Sequence, residues 1–279
     1  MHPSAKPKCP RCAGLGLDVI AVGPVLRAVP CVCVADPCVA CRGSGFVAAG
    51  EGPLAPRKRC ACQLVLARGR MFDTATLPGR YVKARLKDAP RDGGIEAHRA
   101  ALRMFREWNN EPSRGLVLYG DVGRGKTHLV VALLRALVLT HGVSARFVEF
   151  THLVADLKAG IERGNMNDIL DPLGSVDVLA IDELGKGRTT GMTEFEGTIL
   201  DEIVSRRYNA MKAIVATSNY APPNDDKGES EADSRTGVRV GSLVDRVGER
   251  VYSRLVQTCD FVRVAGADQR QLLNPTLMR

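Results

Sequence analysis

The chain has 279 residues, enough for a large core and more than one domain. Apolar residues make up 45% of it, yet no apolar run reaches the roughly 18 residues of a membrane span, and the N-terminus lacks the apolar stretch of a secretory signal, so a cytoplasmic protein is expected. The net charge of +8 is uneven: up to residue 70, ten basic residues face three acidic ones, which suits DNA, RNA, an acidic protein surface or simply a solvated basic face.

Eight of the nine cysteines lie between Cys9 and Cys62. Cys9-Pro-Arg-Cys12, Gly14, Gly16 and Cys31-Val-Cys33 are followed by Cys38-Val-Ala-Cys41, Gly43, Gly45 and Cys60-Ala-Cys62. A shift of 29 residues superposes all eight cysteines and pairs Gly14 with Gly43, Gly16 with Gly45, Gly23 with Gly52 and Pro24 with Pro53, so this is an internal duplication. In a reducing compartment such clustering favours metal over disulfides. Zinc takes four thiolates in a tetrahedron, and a CxxC turn places two on one side of the ion. Glycines after the turn allow positive φ, so that backbone amides can face the sulfurs. Each repeat reads as knuckle, outgoing strand, turn, returning strand and closing CxC. The reading is two zinc ions, one on Cys9, Cys12, Cys31 and Cys33, the other on Cys38, Cys41, Cys60 and Cys62; iron–sulfur binding and metal-free thiols are the competing readings. The two CxxCxGxG blocks resemble half of the zinc-binding region of DnaJ chaperones. Ligand pairs are nested in that family, which leaves open the grouping of 9, 12, 60 and 62 against 31, 33, 38 and 41. Cys259, alone in an apolar stretch, reads as a core residue.

A connector follows. Gln63 to Met71 is expected to form a short helix, with turns at Leu77-Pro78-Gly79-Arg80-Tyr81 and Asp92-Gly93-Gly94. Ala97, Ala101, Leu102, Phe105 and Trp108 recur at helical spacing between Ile95 and Asn110. Trp108 reads as a core contact, with adenine stacking as the functional option.

From Gly115 strands alternate with helices. The strand Leu116–Tyr119 delivers Gly120-Asp121-Val122-Gly123-Arg124-Gly125-Lys126-Thr127, a G-x-x-x-x-G-K-T loop, with His128 next, and a helix from Lys126 to Thr140 stops at Gly142. Glycines let the backbone wrap a β-phosphate. Lys126 is expected to bridge β- and γ-phosphates of ATP, and Thr127 to ligate Mg²⁺. A second strand spans Ala145–Phe150, and Thr151 is expected to cap a helix ending near Gly164. The third strand, Asp177–Ile181, ends in Asp182-Glu183. Asp182 is expected to hold Mg²⁺ and Glu183 to polarise the attacking water. Thr193 and Glu196 form a capping box for a helix with the apolar stripe Phe195, Ile199, Leu200, Ile203 and Tyr208. The fourth strand, Ala213–Ala216, ends in Thr217-Ser218-Asn219, where Asn219 is the candidate sensor of the γ-phosphate. Residues 221–241 read as a loop rich in Pro, Gly and charge. Ser242 and Asp245 are expected to cap one helix running to about Thr258, with Arg246, Arg250 and Arg254 on one face. The last strand is Phe261–Val264, followed by Asp268-Gln269-Arg270.

Residues from about 77 to 272 resemble the DnaC/DnaI-type helicase loaders and the related IstB transposition ATPases of the AAA+ superfamily. The matching pieces are Leu77–Tyr81, Leu118-Tyr119-Gly120 with Gly125–Leu129, Ile181–Gly185, Ala216–Asn219 and Gly248–Leu255. The resemblance implies an α/β core with a parallel five-stranded sheet in the order 5-1-4-3-2, preceded here by the small β-rich zinc module. It implies an arginine finger toward a neighbouring subunit at Arg254, a second sensor at Arg270 and no helical lid. The expected domains are a double zinc module at 1–66, a connector with a helix at 67–114 and the ATPase domain at 115–279.

The function implied is ATP hydrolysis coupled to loading or remodelling a replicative helicase, by a homo-oligomer in the ATP state, on single-stranded DNA and away from membranes. Lys186, Arg188 and Phe195 are the DNA-contact candidates, though Phe195 also reads as core. Two other functions compete: an IstB-like transposition helper, and a zinc-dependent chaperone-like adaptor.

Overall fold

The computed structural model describes residues 1–52, 54–88, 94–186, 192–223 and 241–269. Most of the expected turn at 92–94, most of the 221–241 loop, Arg188 and Arg270 lie outside the described residues. Among the described residues no helix is long and apolar enough to cross a membrane. Two compact units emerge: Met1–Lys83 with Arg135–Ala145, and Ala84–Leu134 with Arg146–Arg279.

In the first unit, β1 (Leu17–Val22) and β2 (Val25–Pro30) pair antiparallel, from Leu17 opposite Pro30 to Val22 opposite Val25. The two-residue turn needs Gly23, whose φ of 58° would strain any side chain. Strand alternation puts Leu17 and Val19 on one face, and both are buried. The helix α1 (Ala61–Thr74) covers that face, extending the expected helix at both ends. A Cβ on its Gly69 would lie 3.4 Å from Leu17 Cδ1, so helix and hairpin are in direct contact. The second hairpin, β3 (Phe46–Ala48) with β4 (Arg57–Arg59), is shorter. The segment Gly79–Tyr81 forms one 3-10 turn, tied to the first hairpin by Leu26 N–H to Leu77 O (2.7 Å) and Gly79 N–H to Pro24 O (2.8 Å).

The second unit opens with α2 (Ile95–Glu107), which buries Ala97, Ala100 and Ala101; Trp108, just beyond it, is buried as a core contact. Then come β5 (Gly115–Tyr119), α3 (Lys126–Ala136), β6 (Ala145–Glu149), α4 (Phe150–Arg163), α5 (Met166–Ser175), β7 (Val178–Asp182), α6 (Glu194–Asn209), β8 (Ala213–Ser218), α7 (Leu243–Val247), α8 (Glu249–Thr258) and β9 (Cys259–Arg263). The sheet order is β6-β7-β8-β5-β9, and the β5–β8, β5–β9 and β7–β8 pairs are parallel. Counted from β5 as the first strand, this is the expected 5-1-4-3-2. Every residue of β5, β7 and β8 is buried, which is why these strands read as unbroken apolar runs. Parallel strands also bring their C-terminal ends to one edge, where the P-loop, Asp182-Glu183 and Ser218-Asn219 emerge together. Cys259 is a core residue, its thiol pushed up to about 12 by burial.

Four local expectations are corrected. The helix after the P-loop is α-helical only to Ala136; a π turn over Leu137–His141 completes it before Gly142. Helix α4 begins at Phe150, so Thr151 lies inside its first turn, its hydroxyl donating to Glu149 Oε1 at 2.9 Å. The helix after Ser242 breaks at Gly248, whose φ of 82° ends α7 and starts α8. Arg246 therefore does not share a helix face with Arg250 and Arg254. It is buried on α7, with its guanidinium 4.3 Å over the Tyr220 ring and donating to Gly185 O at 3.1 Å. Helix α5 was not anticipated at all.

Candidate functional site

The P-loop closes on positive-φ glycines: Gly120 at 135°, Gly123 at 84° and Gly125 at 88°. A Cβ on Gly120 would lie 2.7 Å from Val264 O, so the loop begins where only glycine fits. Lys126, 7% exposed, donates to Gly120 O (2.6 Å) and Asp121 O (2.7 Å), which places its ammonium at the mouth of the loop. Arg124 turns aside to Asp121, while Val122 and His128 are exposed. The C-terminal segment reaches the same loop: Gln269 N–H donates to Gly123 O at 2.9 Å, and a Cβ on Gly123 would lie 2.1 Å from Asp268 Oδ1.

The end of β7 meets the P-loop directly. Asp182 Oδ1 accepts from the Thr127 hydroxyl (2.9 Å) and from the Thr217 hydroxyl (2.5 Å). The Thr217 oxygen in turn accepts from Glu183 N–H at 2.9 Å. Burial pushes the Asp182 carboxyl above its ordinary range, against the two hydroxyls that favour its charged form; the charges of Glu183 and Glu149 add to the rise. Glu183 leaves the strand at φ 59°, a conformation disfavoured for a side chain and characteristic of functional turns. Its carboxylate forms an ion pair with Lys186.

The structure brings Lys126, Thr127, Asp182 and Glu183, all predicted from sequence, to the P-loop and the end of β7, and Asn219 is exposed just after β8. Sequence reasoning missed Thr217, the residue that links the two Walker-type carboxylates, and Glu149 at the end of β6. Arg254 does not join the cluster; its guanidinium donates to Asp201 Oδ1 on α6 at 2.6 Å, with Arg250 3.7 Å from Asp201 Oδ2. Phe195 packs against the core, with Lys158 Nζ 5.5 Å over its ring. Arg270 and Arg188 are not described.

In the first unit the eight cysteines gather as two tetrads, Cys9, Cys12, Cys31, Cys33 and Cys38, Cys41, Cys60, Cys62, with the sulfurs of each within 4.8 Å of one another. The grouping is sequential, and the nested arrangement is not formed. Sulfur separations include 3.7 Å (Cys9–Cys31), 3.5 Å (Cys12–Cys33), 4.0 Å (Cys38–Cys60) and 3.6 Å (Cys41–Cys62). A tetrahedron with zinc–sulfur bonds of about 2.3 Å has edges of about 3.8 Å, so the donor sets fit zinc. The duplication extends to hydrogen bonds: Ala13 N–H to Cys9 O matches Arg42 N–H to Cys38 O, and Cys31 N–H to Gly16 O matches Cys60 N–H to Gly45 O. Backbone N–H groups of Cys12 and Arg11 pull the Cys9 thiol down to about 6, while burial pushes Cys31 up to about 12. Four crowded sulfurs ionise together only around a cation.

Known proteins resemble parts of this chain. A family described as IstB-like ATP binding protein matches residues 102–225. The uncharacterized protein YqaM of Bacillus subtilis strain 168 is 22% identical over 225 residues, which cover 77% of this chain and 65% of that protein. An ATP-binding protein in an insertion sequence of Mycobacterium tuberculosis is 28% identical over 174 residues, 62% of this chain and 64% of that one. The chain spans less than two thirds of the length of both. The crystal structure of the DnaC helicase loader matches with a TM-score of 0.56 and 26% identity, over 67% of this chain and 99% of that one. Residues 102–225 thus match the IstB-like ATP-binding family, and the sheet and P-loop around them have the AAA+ P-loop fold.

Proposed function

We propose that the chain hydrolyses ATP to load or remodel a replicative helicase, acting as an ATP-bound homo-oligomer on single-stranded DNA. The observation that carries this reading is the convergence of Thr127, Asp182 and Thr217 at the mouth of the P-loop, with Glu183 turned out of the strand beside them. Thr127 Oγ1 and Asp182 Oδ1 are hard oxygen donors 2.9 Å apart, the set that suits Mg²⁺. When bound, that ion neutralises phosphate charge. Lys126 is poised to exchange its two carbonyl partners for phosphate oxygens. Glu183, held by Thr217 through its backbone, orients and polarises the attacking water. Asn219 reads the γ-phosphate from the strand tip, and Arg254 serves a neighbouring subunit after leaving Asp201. Arg270 remains the candidate second sensor. The zinc module supports the client contact, each tetrad holding one structural Zn²⁺.

A second reading, a transposition helper acting on duplex DNA, is favoured by the IstB-like match and the insertion-sequence relative. Capture from source cells with a Glu183→Gln trap decides between them. Recovery of a replicative helicase is the expected result; recovery of a transposase without a helicase transfers the assignment to the second reading.

A further inference from the structure

The 29-residue duplication gives each position of the first zinc repeat a counterpart in the second, and the two hairpins have diverged on one face. In the first repeat that face carries Leu17, Val19 and Ala28 and lies under α1, whose Gly69 approaches both Leu17 and Ala28. The counterparts in the second are Phe46, Ala48 and Arg57, with Arg59 in place of Pro30. The register sets Phe46 opposite Arg59 and Ala48 opposite Arg57, so the four side chains share a face. All four are exposed, Phe46 by 47%. Val47, on the other face, packs on the cysteine tetrad and anchors the hairpin.

Charge has diverged in parallel. Residues 9–36 hold two arginines and two aspartates, and Arg11 is paired with Asp18. Residues 38–65 hold Arg42, Arg57, Lys58 and Arg59 against Glu51 alone, and among the described residues Arg57, Lys58 and Arg59 form no ion pair. Like charges placed together on a hairpin face destabilise it, and a bound anion relieves that repulsion. An exposed ring opposite one arginine and diagonal to another matches an unpaired base flanked by phosphates. An acidic protein surface would need a dry apolar centre, and beyond Phe46 this face offers only Ala48.

We infer that the β3–β4 face binds single-stranded DNA independently of ATP, Phe46 stacking on a base while Arg57 and Arg59 take the adjacent phosphates. The choice of DNA over RNA rests on the function proposed above; the site itself does not. Fluorescence anisotropy of a labelled oligothymidylate, with the zinc-loaded full chain and no nucleotide, tests it in a Lys126→Ala background, so that any loss of ATP-stimulated binding at the ATPase face is scored separately. Phe46→Ala is expected to weaken binding about 5- to 150-fold, the range for loss of one stacked base, with Phe46→Tyr retaining it. Arg57→Ala with Arg59→Ala is expected to lower the log–log salt slope by about 1.4, the value for two single-strand phosphate contacts. Zinc content stays at the parent level in each variant, which separates loss of a contact from loss of fold. Unchanged binding in both variants overturns the site. Loss with the arginines but not with Phe46→Ala overturns the stacking role of Phe46, and tighter binding of an oligouridylate overturns the assignment to DNA.

Discussion

Asp182 stands between opposing influences. Burial favours its neutral form, while the hydroxyls of Thr217 and Thr127 hold the charged form that a metal needs. Thr217 also fixes Glu183 through its amide, so one hydroxyl positions both carboxylates. Thr217→Val keeps the shape and removes the hydroxyl. It is expected to lower kcat about 10- to 100-fold, the equivalent of one hydrogen bond to a charged group, with nucleotide affinity nearly unchanged. Steady-state hydrolysis beside binding of a fluorescent ATP analogue reads the two effects apart. In the same assays Lys126→Ala is expected to lose binding, and Glu183→Gln to bind ATP and fail to cleave it, because the proposed roles put Lys126 on phosphate in the ground state and Glu183 on the attacking water. The P-loop and the Asp182-Glu183 pair were legible in the sequence because their chemistry requires particular residue types at fixed spacing beside a strand. Thr217 was not, because a threonine closing an apolar strand is unremarkable until the neighbouring strand is placed.

Among the elements, α5 shows most clearly what a local pattern misses. Pro172 and Gly174 sit inside it, and both argue against a helix. The compensation is distant in sequence. Arg207 on α6 is completely buried and donates to the carbonyls of Leu173 (2.6 Å), Val176 (3.0 Å), Asp177 (3.0 Å) and Ala213 (2.7 Å). It satisfies the C-terminal end of α5 and the start of β7 together, although burial pushes its own pKa down to about 10. Arg207→Met is expected to destabilise the chain by about 3–5 kcal/mol, the range for breaking a buried charged network, as read by urea denaturation. Arg207→Lys is expected not to rescue it, since one ammonium cannot reach four divergent carbonyls. The break at Gly248 was hidden for a similar reason: glycine inside a helical pattern is tolerated, and only its φ shows that it ends one helix and opens another.

At the scale of the molecule, two expectations concern what holds the chain together and what it joins. Arg254 is tied to Asp201 of its own subunit, so the proposed assembly would have to exchange that pair for an ATP in a neighbour. Arg254→Ala subunits mixed with Lys126→Ala subunits are expected to recover hydrolysis that each lacks alone, because fingers supplied in trans are worth roughly 10³–10⁵ in rate. An inactive mixture with demonstrated co-assembly removes Arg254 from that role. Elemental analysis is expected to find two zinc ions per chain, with Cys9→Ser plus Cys33→Ser losing one and Cys9→Ser plus Cys62→Ser losing both; nested ligation reverses this outcome. Sequential grouping has a temporal consequence. The first tetrad is complete once Cys33 has been made, so the proposed zinc site of the first repeat can close while the second repeat is still on the ribosome. A nested scheme would leave Cys9 and Cys12 waiting, as exposed reactive thiols, for Cys60 and Cys62. With two ligand sets that never overlap along the chain, each repeat matures in the order in which it is synthesised, and an early thiol finds its own partners before the competing ones exist.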